Sequence, residues 1–106
     1  MIHGTREKTW PRLAKAMDHP MRARLVGKIA ARGAVTTGEL ARLAELPLAV
    51  VSHHLGVLKT NELVEREPVG REAEWRLAAD VVAIIDHLYA WAEAQDEGTA
   101  DDDDNP

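Results

Sequence analysis

At Leu63 the hydrophobic rhythm of this chain changes period, and that change limits the fold more than any other feature. Upstream, apolar residues recur every three to four positions: Met21, Leu25, Ile29 and Ala30, then Leu40 and Leu43, then Val51, Leu55 and Leu58. Such spacing lines one face of a helix. Residues 63–67 and 73–77 instead read as two short strands, flanking Pro68-Val69-Gly70-Arg71-Glu72, a hairpin with Gly at its tip. Pro68 has no N–H to give to a ladder, which places this ribbon at a sheet edge. From Ala79 the helical rhythm returns with Val81, Val82, Ile84, Ile85, Leu88, Tyr89, Trp91 and Ala92. These cover more than one face, and a helix apolar on two sides in so short a chain needs a second surface to cover it.

The helices upstream are punctuated in readable ways. Trp10, Leu13, Ala14 and Met17 fall at helical spacing, with Pro11 suited to a first turn. His19-Pro20 breaks that helix, and Asp18 or His19 can cap the next, which Gly33 stops. Residues 34–36 form a brief extended link. Thr36 and Glu39 have the spacing of a capping box, opening a helix through about Ala44. After the turn Glu45-Leu46-Pro47, a further helix runs from about Leu48 to Asn61, with Ser52, His53, Gly56 and Lys59 off its apolar face. Two helices joined by a short turn and followed by a hairpin make a winged helix-turn-helix, mostly α with a small β-hairpin. The division expected is a flexible N-terminus over 1–9, the folded unit over 10–97 and a disordered acidic tail over 98–106.

Composition excludes whole classes. The 106 residues include no cysteine, so a disulfide framework, a thiolate nucleophile and a Cys-ligated metal are ruled out. No apolar run approaches the roughly 18–20 residues of a bilayer span, and the basic start has no signal-peptide core; a cytoplasmic location is expected. No nucleophile–base pairing or phosphate-cradling Gly loop stands out, so catalysis is not expected. The net charge of −5 hides a segregation. Residues 1–32 carry eight Lys/Arg against Glu7 and Asp18, whereas residues 80–106 carry nine Asp/Glu and no Lys/Arg. A basic face for a polyanion therefore stays possible in an acidic protein. The aspartates of the tail would compete with DNA for the basic helices.

Several stretches, taken together, resemble the arsenical-resistance-repressor (ArsR) family of winged-helix regulators. They are Met17-Asp18-His19-Pro20-Met21-Arg22-Ala23-Arg24-Leu25, Gly38-Glu39-Leu40-Ala41, residues 51–58 with Val51-Ser52-His53-His54-Leu55, Leu63-Val64 and Gly70-Arg71, all in the family's order over roughly residues 12–95. The resemblance implies a homodimeric regulator that binds a double-stranded DNA operator, usually a repressor released by a small-molecule or metal inducer, with the first and last helices forming the dimer interface. It also exposes departures. Leu48, Ala49 and Val50 stand where the family has polar residues at the start of the recognition helix, and Glu62 replaces the usual Gly before Leu-Val. Asn61 is expected to take the left-handed conformation in place of Glu62.

The DNA-contact candidates are Ser52, His53, Ala49 and Val50 on the recognition helix, Lys59 at its end, Arg66 and Arg71 on the wing, and Arg24 on an earlier helix. His54 is expected to pack inside the domain. Trp10, Leu13, Val81, Ile84, Ile85, Leu88 and Trp91 are the candidate dimer interface. Trp10, Tyr89 and Trp91 lining a small-molecule pocket is the weaker alternative. No cofactor and no metal are expected: Thr36 and Gly38 occupy the family's Cys-x-Cys places, and His87 with Asp80, Asp86 and Glu93 does not match the spacing of the zinc and nickel sensors. A rival function is a protein-interaction module docking a partner on the apolar start of the recognition helix.

Overall fold

The computed structural model describes the backbone of residues 2–103 and the side chains of residues 8–95. Within them the order is α1 (Ile2–Met17), α2 (Pro20–Arg32), β1 (Val35–Thr36), α3 (Thr37–Ala44), α4 (Leu48–Thr60), β2 (Val64–Val69), β3 (Glu72–Leu77) and α5 (Ala79–Asp103). The strands form one antiparallel sheet in the order β1-β3-β2, so β2, which carries Pro68, is an edge. α1 and α5 run past the limits expected for the folded unit, and Pro11 lies inside α1 instead of in its first turn. Met1 and residues 104–106 lie outside the description.

Local chemistry accounts for the boundaries. α2 starts after an extended His19 with Pro20 pre-set in its first turn, though no side chain caps it. Gly33 ends it at φ 83°, and its N–H donates to the Ile29 carbonyl at 2.8 Å. The capping box forms: the Thr36 N–H donates to the Glu39 carboxylate at 3.0 Å, and the Glu39 N–H donates to Thr36 Oγ1 at 3.2 Å. Those bonds from Thr36 hold the Glu39 carboxyl below its ordinary pKa.

At the end of α4 the structure corrects the sequence reading. Glu62, not Asn61, takes the left-handed conformation, at φ 62°. The hydrogen bonds explain why. The Glu62 N–H reaches the Lys59 carbonyl at 2.9 Å and the Leu63 N–H reaches that of Leu58 at 3.0 Å, a Schellman pair that requires the left-handed residue at 62. Asn61 stays near helical, its side-chain amide donating to the Val57 carbonyl. Glu45 does at the end of α3 what Glu62 does here, at φ 56°. The hairpin is also tighter than expected. Its strands run to Val69 and from Glu72, leaving Gly70 and Arg71 as a two-residue turn with Gly70 at φ 63°.

The core gathers one row from each element. Leu25 and Ile29 of α2, Leu40 of α3, Val51, Leu55 and Leu58 of α4, then Val35, Leu63 and Val81 are fully buried. Leu13 and Ala16 bring α1 into the same cluster. Each such aliphatic contributes roughly 1.5–3 kcal/mol by leaving water. α1 is also tied to the start of α5, Thr9 donating to Asp80 at 3.3 Å. No described helix is long and apolar enough to cross a membrane.

Candidate nucleic-acid interface

With Val51, Leu55 and Leu58 holding α4 to the core, its opposite side is left to solvent. Ala49, Ser52, His53, Gly56 and Lys59 are exposed along that side, and Val50 is half-buried at its start. Leu48, the first residue, is 56% exposed. α3 packs across α4, connected by the short Glu45-Leu46-Pro47 turn. A helix with one free side, standing proud of its partner, has the width and shape to enter a major groove about 12 Å across.

The wing is anchored where it must be rigid. Trp75 of β3 is buried, and its indole N–H donates to Thr37 Oγ1 at the start of α3 at 2.8 Å. Val35 pairs with Trp75, so the helix-turn-helix and the wing share one sheet. Glu67 and Glu74 face each other across the hairpin, an unfavourable pair of like charges. Arg76 offsets it, reaching Glu74 at 3.3 Å and Glu67 at 3.4 Å. Arg66 and Arg71 make no ion pair among the described residues, and both are exposed. Together with Lys59 they are uncommitted cations on the end of α4 and on the wing.

Comparison with known proteins follows this geometry. A helix-turn-helix domain model matches residues 17–67. The transcriptional repressor BigR of Xylella fastidiosa is 27% identical, with 83% of this chain and 90% of that one covered at a TM-score of 0.66. The transcriptional repressor PagR of Bacillus anthracis is 26% identical, over 81% of this chain and 98% of its own, at 0.66. The homodimeric winged helix-turn-helix domain of Mb0332 from Mycobacterium bovis, a possible ArsR-family regulator, shares the fold at 0.71, with 24% identity over 87% and 84% of the two chains. The chain carries a helix-turn-helix domain and shares the winged helix-turn-helix fold of these structures. No curated protein sequence matches it.

Some residues singled out in the sequence are already engaged within the protomer. Arg24 is exposed, yet its guanidinium donates to the Ala44 carbonyl at 2.9 Å, at the last turn of α3. Leu13 and Val81 are 3% and 0% exposed in the single chain, so they fill its own core and have no surface to give a partner. Trp10, Leu88 and Trp91 are 50%, 45% and 60% exposed, and Ile84 and Ile85 are half-buried beside them. Trp10 and Tyr89 do not share a pocket. Trp10 lines a groove with Ile84, His87 and Leu88, whereas Tyr89 lines another with Gly27, Ala30 and Ile85. His87 is exposed, and among the described residues no three metal-binding side chains come together.

Two relations escaped the sequence because they join distant positions. Arg12 of α1 pairs with Glu62 at 3.0 Å, tying the terminal helix to the end of α4. His54 is buried, 7% exposed, and packs edge-on against His19 with ring centroids 4.8 Å apart. Burial first, then the positive neighbours His19, His53 and Arg22, hold His54 below the ordinary histidine pKa.

Proposed function

We propose that this chain is a homodimeric transcription regulator of the ArsR type that places α4 in the major groove of operator DNA and the Gly70-Arg71 wing tip on the flanking minor groove. One observation carries the reading: the free side of α4, with Ser52, His53 and Lys59, sits on the same small sheet-and-helix body as two uncommitted wing arginines. Phosphate contacts from Lys59 and Arg66 would fix register, while Ser52 and His53 offer donors and acceptors to base edges. The apolar start, Leu48 to Val50, contributes contacts with thymine methyls in place of bidentate bonds. Two such heads on one dimer meet half-sites about 34 Å apart. The homodimeric neighbour and the two repressors support the same assembly and the same activity.

The apolar start also favours a second reading, in which exposed Leu48 docks a protein partner. Salt separates the two. On a duplex recovered by selection with the purified protein, affinity falls steeply as salt rises from about 50 to 200 mM. Arg71→Ala lowers the slope of log K against log salt by about one phosphate contact, while Arg24→Ala leaves it unchanged. No duplex binding at low salt rejects the DNA reading and leaves the docking one.

A further inference from the structure

The contact between His19 and His54 does more than fill space. His54 lies on the inner side of α4, next in sequence to His53, which faces outward. His19 is the extended residue before α2. Their rings meet at 4.8 Å and 63°, and His53 stands against His54 at 5.4 Å and 64°. His54 Nδ1, His19 Nδ1 and Arg22 Nε are all buried without a hydrogen-bond partner among the described residues. A neutral imidazole bears the smaller cost, because one ring nitrogen carries no proton and is left only as an unmade acceptor. A charged ring bears a larger one. It carries N–H on both nitrogens and would bury an unpaired cationic donor.

Nothing nearby repays that cost. The charged groups that act on His54 are His19 and Arg22 from the start of α2 and His53 from α4, all of them bases. α3 and β2, the other elements packed on α4, contribute no charged group to it. We propose that His19 and His54 form a proton-sensitive latch holding the recognition helix α4 to the start of α2, closed while the buried His54 ring is neutral and released when that ring is protonated. Release lets α4 tilt toward water at the turn that carries Ser52 and His53, so acid loosens the reading surface itself. This last step rests on the DNA-binding function proposed above; the latch does not.

The sign follows from linkage. His54 binds its proton less readily folded than unfolded, so the closed state is unaffected above about pH 6.5 and loses ground as pH falls through that value toward the lowered one. Within that window each pH unit multiplies the opening equilibrium by up to about ten.

The test uses the full-length protein from pH 8 to pH 5.5. Amide hydrogen exchange of α4 in the free protein, corrected for intrinsic rates, should accelerate about tenfold at the acid end relative to the α2 core, and an NMR titration should place His54 below the ordinary histidine value of 6.5. His54→Gln and the gentler His19→Gln should each flatten the exchange profile. Affinity for a selected duplex should fall at acid pH in the wild type and hold or rise in the two variants. Equal acceleration in wild type and variants, or a His54 midpoint at or above 6.5, overturns the latch. So does a zinc- or nickel-induced rise in Tm that His54→Gln abolishes, which would assign the bare nitrogens to a metal. Absence of duplex binding at every pH removes the DNA reading and leaves the exchange result standing.

Discussion

Glu62 shows how a single residue settles a conflict between backbone and side chain. A left-handed residue with a Cβ costs roughly 1–2 kcal/mol, and Gly would avoid it. What Glu adds is a bond to Arg12 at 3.0 Å, but Glu62 is 74% exposed there, and such surface pairs contribute only about 0–1 kcal/mol. Strain and bridge are therefore of similar size, and two substitutions separate them. Glu62→Ala keeps the strain and loses the bridge, so it is destabilised by under about 1 kcal/mol. Glu62→Gly loses the bridge and the strain together and should exceed the alanine variant by about 1 kcal/mol. Urea midpoints of the three proteins give the ranking, and an alanine variant as stable as the glycine one would show that position 62 bears no strain. The family resemblance implied a left-handed turn here, since Glu62 stands where Gly is usual, but which of residues 61 and 62 turns left-handed depends on carbonyls one helical turn back. The same limit hid the role of Arg24, whose partner is the main chain of Ala44, on another helix.

Elements were legible wherever their cause is local. The Thr36–Glu39 box, the Gly33 stop and the inward row of Val51, Leu55 and Leu58 each depend on residues within a turn or two, and each stands where the spacing puts it. Long-range pairings were not legible. β1 is two residues long, and only its register with Glu74 and Trp75 makes it a strand. The outer face of α4 could likewise be read from periodicity, whereas the His19 contact on its inner face could not. The capping box has its own pH signature. Because bonds from Thr36 lower the Glu39 pKa in the folded protein, its contribution is complete above the unfolded value of 4.5 and is lost as pH falls through the lowered one. Glu39→Gln should thus match the wild type near pH 7 in structure and cooperativity, yet lose less Tm between about pH 5 and pH 3. Parallel acid limbs for the two proteins would mean that other carboxylates govern acid unfolding.

At the scale of the whole molecule, shape and surface make the same argument. The radius of gyration is 16.0 Å, against about 13 Å for a compact domain of some 100 residues, and α5 is 25 residues long. Leu88, Tyr89 and Trp91 lie exposed on that helix with Trp10 nearby on α1, more large apolar surface than a monomer this small usually leaves bare. Periodicity marked the residues of both terminal helices as apolar but could not say which neighbour covers each. Packing divides them, Leu13 and Val81 going to the protomer's own core and Trp10, Leu88 and Trp91 staying exposed, the surface that the proposed dimer would cover. A substitution at the second group should therefore break the dimer and spare the fold. Trp91→Glu puts a carboxylate into the interface, where an unpaired buried charge costs several kcal/mol, so the dimer dissociation constant should rise more than about a hundredfold. Val69→Glu, on the exposed wing, adds the same charge away from α5 and serves as the control. Sedimentation should find the Trp91 variant monomeric at micromolar concentration with an unchanged helical circular dichroism spectrum, and the Val69 variant dimeric. A Trp91→Glu protein that still sediments as the wild type does would move the two-fold interface off the terminal helices, and with it the half-site spacing expected of the operator.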